Sequence, residues 1–255
     1  MDLKAIKKEI RIILFLIIVP ILVTIMLTSV QCNKGQDKGK KCEDIQDTSS
    51  KEDSICVLLS GKELEEKRKI FYSDSKNELV QNSFIIGNDM MREKEYNLAI
   101  ESYKLALLKD STFVLVLDNM AICYNRLGDF ENAIKFNNKS LSVYPEGEHA
   151  LVNIGVTYTD LSKFEISNKY YLRLTRLYPN NPEGYFGLAK NYILLGEFEN
   201  GLKNISIANK IYKDTKSDYI QDTEKIIEMV HQSMKEANRE DEFYKLATKY
   251  GLATK

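Results

Sequence analysis

The sequence predicts an all-α solenoid: about four stacked helix-turn-helix pairs, capping helices behind them and one hydrophobic helix ahead. Three observations lead there. A phrase recurs as REKEYNLAIES at 92–102, RLGDFENAIKF at 126–136, DLSKFEISNKY at 160–170 and LLGEFENGLKN at 194–204, a step of 34 residues each time. Around each phrase, apolar and small residues fall at i, i+3, i+4 and i+7, the spacing of one helix face. Gly and Pro stand where helices have to end.

The first 31 residues differ in kind from the rest. A basic tail, residues 1–11, carries Lys4, Lys7, Lys8 and Arg11, and nineteen uncharged residues follow at 12–30. A helix of that length nearly spans a ~30 Å hydrocarbon core. The expectation is a cytoplasmic tail, a membrane anchor or signal segment over 12–31, and the remaining chain outside the cytoplasm, in a bacterial cell envelope. Cys32 sits where a lipoprotein would be cleaved and acylated, although Gln31 stands where such proteins place a small residue. Retained anchor and acylated Cys32 are both carried forward, and either tethers the domain to a membrane.

Residues 32–74 read as a polar linker, with a short helix from Lys62 that turns Leu64 and Phe71 inward. Cys42 and Cys56 fall within it, either unpaired thiols, the reading favoured in a polar segment, or a pair closing a short loop. The repeats follow at 75–113, 114–147, 148–181 and 182–213, with their common register starting at Val80, Val114, Glu148 and Pro182. Positions 4, 7, 8 and 11 form the first stripe: Ser83, Ile86, Gly87, Met90; Leu117, Met120, Ala121, Tyr124; Leu151, Ile154, Gly155, Tyr158; Tyr185, Leu188, Ala189, Tyr192. Position 8 always holds Gly or Ala, which lets a second helix approach closely. A second stripe starts at Tyr96, Phe130, Phe164 and Phe198, with Ala99, Ala133, Ser167 and Gly201 three residues on. Gly128 and Gly196 suit positive φ in the turns between stripes, and Pro145 and Pro179 end repeats two and three. Beyond Lys213 the period fades, and residues 214–255 read as capping helices through Ile226, Val230, Met234, Phe243 and Leu246.

These residues resemble the tetratricopeptide repeat (TPR), whose pattern asks for a bulky residue at 4, Leu-Gly at 7–8, aromatic at 11, Ala at 20, aromatic at 24, Ala at 27 and Pro at 32. Repeats one and four depart from it with Ser111 and Lys213 in place of Pro, and repeats three and four with Ser167 and Gly201 in place of Ala. The resemblance implies a right-handed solenoid whose first helices line a concave groove. It implies a peptide site at Phe84, Asn88, Asn119, Ile122, His149, Val152, Asn153, Val156, Phe186 and Lys190, with Ile85, Leu115, Asp118 and Glu183 beside them. Co-chaperone members grip a carboxylate with Lys, Arg and Asn; here Asn88 and Asn119 match, while Phe84, His149 and Asn153 replace the cations. The charge-assisted bonds of that clamp are therefore missing. Asn119 and Asn153 share one position in adjacent repeats. Their amides either pair with a peptide backbone or hydrogen-bond within the solenoid.

Chemistry is sparse. Lys and Arg total 36 against 37 Asp and Glu, a net charge of −1, which gives no basic field for nucleic acid. His149 and His231 are the only histidines and stand on separate helices, and no paired Cys or His spacing suggests a metal. LSGK at 59–62 lacks the rest of a phosphate loop, and Cys123 sits at a core position. No catalytic residue, cofactor or metal is expected. The reading is a membrane-tethered, non-enzymatic adaptor that binds a protein or peptide. Its alternatives are a lipoprotein, acylated at Cys32, of secretion, pilus or outer-membrane assembly, and an accessory or sensor subunit of an envelope enzyme complex.

Overall fold

The computed structural model describes residues 60–252, which form eleven α-helices and no strand. The expected anchor over 12–31 and Cys32, Cys42 and Cys56 lie outside the described residues. Within 60–252 no helix is long and apolar enough to cross a membrane.

A short helix α1 (Gly61–Phe71) precedes four helix pairs: α2 (Glu78–Arg92) with α3 (Tyr96–Lys109), α4 (Val114–Arg126) with α5 (Phe130–Val143), α6 (Glu148–Asp160) with α7 (Phe164–Leu177), and α8 (Pro182–Leu194) with α9 (Phe198–Asp214). Two further helices, α10 (Ile220–Glu236) and α11 (Glu240–Lys249), close the stack. Each pair packs on itself first, and α4, α6 and α8 then each pack on the second helix of the preceding pair. The first helices also meet one another along the stack, so they form its inner, concave row.

Both stripes do the work that their spacing implies. Ala99, Ala133 and Ser167 are fully buried, as are Tyr103, Leu117, Met120, Leu151 and Ile154. The small residue at position 8 is matched by size across the pair. A Cβ built on Gly87 would come within 2.3 Å of the Tyr103 ring, and one on Gly155 within 2.7 Å of Tyr171. Where position 8 is Ala121 or Ala189, the residue opposite in the repeat register is Asn137 or Ile205 rather than Tyr. Backbone approach and ring volume trade against each other, because interiors are close-packed.

Ser167, in place of Ala, is accommodated by hydrogen bonds. Its hydroxyl donates to the Gly155 carbonyl at 2.8 Å and accepts from Asn191 Nδ2 at 2.8 Å. Pro145 and Pro179 act on the residues before them: Tyr144 and Tyr178 leave helical geometry, and α5 and α7 stop there. Repeat four has Lys213 in place of Pro, and α9 runs on to Asp214.

One expectation is corrected. Ile86 is 53% exposed, whereas its counterparts Met120, Ile154 and Leu188 are buried. Those three belong to helices that pack on a preceding pair, and α2 has no such pair among the described residues. The same end is polar elsewhere: Asn82 and Asp89 stand where later repeats place Val116, Ala150, Cys123 and Thr157 in the interior. At the other end, Val230, Met234, Phe243 and Leu246 join Ala189, Leu202 and Ile205 in one cluster, so α10 and α11 cover the last pair.

The four intra-repeat turns are copies of one motif. In each, the residues after the first helix bond back to form a Schellman cap, as in Asp129 N to Tyr124 O at 2.9 Å with Gly128 N to Asn125 O at 3.0 Å. The residue in the left-handed region is Gly128 (φ +76°) and Gly196 (φ +77°) in repeats two and four, but Lys94 (φ 65°) and Ser162 (φ 56°) in one and three. A side chain there costs roughly 1 kcal/mol. Ser162 is exposed. Ser162→Gly is therefore expected to raise unfolding free energy by roughly 0.5–1 kcal/mol, and Gly128→Ala to lower it by a similar amount, in denaturant titrations followed by circular dichroism. Opposite signs would disprove the shared turn geometry.

Candidate functional site

The residues expected to bind a peptide differ in how the structure uses them. Phe84 is a core residue. Its ring packs 5.3 Å from Phe113 and 6.4 Å from Tyr103, within the first core cluster. Leu115 packs against the same cluster. Ile85 is 46% exposed and Val156 39% exposed; Ile122 is half-buried and Lys190 exposed. Phe186 leans edge-on to Tyr212 at 6.5 Å and packs against the C-terminal cluster. Glu183 accepts from the Tyr212 hydroxyl at 2.6 Å.

The amides are turned toward the solenoid. Asn119 Nδ2 donates to Asn88 Oδ1 at 2.8 Å, and the Tyr103 hydroxyl donates to the same oxygen at 2.7 Å. Asn153 Nδ2 reaches the backbone carbonyl of Asp118 at 3.4 Å. Of the two uses open to these amides, the bonds within the solenoid are the ones present. Asn88 thus joins two repeats.

Asp118 also departs from expectation. It sits 1% exposed rather than in an open groove, with Oδ1 accepting from the Ser140 hydroxyl at 2.6 Å and Oδ2 without a hydrogen bond. Ser140, where other repeats have Ala106, Leu174 or Ala208, supplies the donor that those residues lack. Burial pushes its carboxyl up to about 7, although the Ser140 bond pulls the other way. His149 Nδ1 stands 4.0 Å from Oδ2, and burial holds that imidazole below its ordinary value.

The short helix expected within the linker is present, with Leu64 and Phe71 turned inward, and its docking goes beyond that expectation. Residues 60–72 are docked on the loops between repeats two, three and four. Ser60 caps α1 through a reciprocal pair with Glu63, which fixes where the helix starts. Leu64 enters a cluster with Leu151, Leu174 and Leu177, and Val152 packs beside it. Lys67 Nζ pairs with Glu146 at 2.8 Å and Arg68 Nε with Glu148 at 2.6 Å. Phe71 stacks on Tyr144 at 4.6 Å, and Tyr72 stacks on His149 at 4.4 Å. The Tyr72 hydroxyl accepts the His149 backbone N–H at 3.2 Å. Gly147, the N-cap of α6, has no side chain to do this. His149 and Val152 are therefore partly covered from within the chain. KRKIFY at 67–72 and the acidic pair in PEGE at 145–148 are the signals in the sequence that point to this contact.

No catalytic constellation accompanies these features among the described residues. Cys123 is buried in the first core cluster, and burial pushes its thiol up to about 11, which disfavours the thiolate. His231 stacks on Phe243 at 4.4 Å and lies 3.1 Å from Glu240, on a different helix from His149.

Residues 116–146 and 148–181 match the family model of the tetratricopeptide repeat, so this part of the chain consists of such repeats. Among solved structures, a crystal structure of MamA is similar, with 17% identity and a TM-score of 0.54, covering 68% of this chain and 90% of that one. MamA of Desulfovibrio magneticus RS-1, from residue 41 to its end, gives 16% identity and a TM-score of 0.56, covering 70% of this chain and 97% of that one. At such identities the likeness is one of fold. No curated protein sequence matches.

Asp118 yields a pH test. Folded, it keeps its proton to about pH 7; its ordinary value is 3.8. Between those values the folded state binds more protons than the unfolded, so this group lowers stability as pH rises from about 4 to about 7. Asp118→Asn should match wild type near pH 4 and exceed it by a few kcal/mol at pH 8, in thermal melts followed at several pH values. An advantage independent of pH would contradict the buried carboxyl.

Proposed function

We propose that the repeats form a non-enzymatic protein-interaction scaffold whose concave row takes an apolar peptide, held at a membrane by residues 12–30. One observation carries the groove reading: Ile85, Ile122 and Val156 present apolar surface on helices that face inward along the stack. Elsewhere, the surface of a soluble helix is where charge is usually placed. Asn88 and Lys190 continue the row at the same repeat position as Ile122 and Val156. Binding of this kind depends weakly on ionic strength, since apolar burial is not screened.

Affinity capture from native membranes with the full chain tests it. Ile122→Ser/Val156→Ser should lose the captured protein by about ten-fold or more, with little change between low and high salt. Equal capture by the double variant would move the binding surface away from the concave row. Asn119→Ala is a poorer probe, because its amide joins repeats one and two.

The tether is tested separately. Nineteen uncharged residues at 12–30 should keep the full chain in the membrane fraction through carbonate and high-salt washes. Fatty-acid labelling that disappears in Cys32→Ser would replace the anchor by a lipid. A chain found in the soluble fraction would remove both.

A further inference from the structure

The ledge under α1 is built like a binding site whose occupant belongs to the same chain. Leu64, Lys67, Arg68, Phe71 and Tyr72 lie at i, i+3, i+4, i+7 and i+8, one continuous helical face ending in a ring pair. Opposite them the ledge offers an apolar pocket, two carboxylates, a tyrosine ring and a helix N-terminus. The carboxylates are unusual. With α1 in place Glu146 is 3% exposed and Glu148 8% exposed, so docking takes each out of water and a matching cation offsets that cost. Lys67 and Arg68 supply one apiece. The N-terminus of α6 takes its capping oxygen from Tyr72.

The remainder of α1 touches little. Lys62, Glu66, Lys69 and Ile70 are exposed, and the turn at 73–77 that joins α1 to α2 is largely exposed as well. An eleven-residue helix has little stability of its own in water, so α1 keeps its form through the ledge.

We propose that this ledge is a recognition site for basic amphipathic helices, and that Leu64–Tyr72 is its internal occupant, a latch that gives way to a partner presenting the same face. The matched partner carries an apolar residue, a basic pair three and four residues on, and an aromatic pair at seven and eight. The ledge takes in the inter-repeat loops and the start of α6, where it covers His149 and Val152 of the concave row, but it does not include Ile122 or Val156. Failure of the groove reading therefore leaves it standing, and the reverse holds too.

The test uses the full chain and two labelled peptides. One has the sequence of residues 60–76. The other is an alanine-rich helix carrying only Leu, Lys, Arg, Phe and Tyr at the spacing above. Wild type, with the latch closed, should bind either at least about ten-fold more weakly than Leu64→Asp, in which the latch is opened. Adding Glu146→Gln and Glu148→Gln to the opened variant should weaken binding by about ten-fold again, and raised salt should do the same to the opened parent. Circular dichroism confirms that each variant is folded. Should Leu64→Asp not fold, Lys67→Glu/Arg68→Glu opens the latch by charge instead. The proposal is overturned if a folded, opened variant binds neither peptide, or if wild type binds them as tightly as the opened chain. Binding of the native peptide but not the alanine-rich one overturns the stated recognition face. A wild-type dimer that dissociates in Leu64→Asp would place the helix on a second copy and overturn the latch.

Discussion

The close approach of the two helices in each pair is the constraint on which the rest depends. At Gly87 and Gly155 the backbone of the first helix lies against a tyrosine ring with no room for a Cβ. That contact sets the distance and rotation within the pair, and a pair so set presents two further faces that it cannot bury alone. Stacking follows, and the 34-residue step is the length of chain needed to make two helices, a Schellman turn and the return loop. Because the stack is also bounded, its ends need different chemistry from its middle. Asn82 and Asp89 give one end a polar face, and Met234 and Phe243 bury the other.

Apolar stripes alone leave neighbouring pairs free to slide, and buried or half-buried polar groups act against that. Asn88, Tyr103 and Asn119 close one link between repeats one and two. Asn125 reaches Thr157 at 3.1 Å across the next junction, and Thr159 reaches Asn191 at 2.8 Å across the third. Asn209 to Thr223 at 2.6 Å does the same for the cap. Each junction thus carries a directional bond inside an otherwise apolar contact. Such bonds add modestly to stability but strongly penalise the wrong register, where their partners would be left unpaired.

This division explains what is legible in the sequence. Period, helix stripes, turn residues and proline stops are local properties of the chain, and the helices lie where those signals put them. Ile86 departs because its stripe is correct but α2 has no preceding pair among the described residues, and periodicity says nothing about neighbours. Asn119, Asn153 and Asp118 belong to an open groove by position alone. Whether a polar side chain faces solvent or a partner depends on the residue opposite, as Ser140 decides for Asp118. The docking of α1 is least legible. Its contacts join residues 79 and 80 positions apart, and its own register lies outside the repeat.

The ledge and the concave row also differ in what they exclude. On the proposed reading, an apolar row at Ile122 and Val156 would reject a ligand only by shape, since a missing methylene costs little. The ledge rejects by charge. Any helix that replaces α1 covers Glu146 and Glu148 as α1 does, and one without cations desolvates Glu146 with no counter-charge and leaves Glu148 only the amide of Asn181 and the nearby His149. An acidic helix adds repulsion to that cost. The two carboxylates therefore act less as a source of affinity than as a filter, and the basic pair of α1 is what allows the fold to keep them buried while no partner is bound.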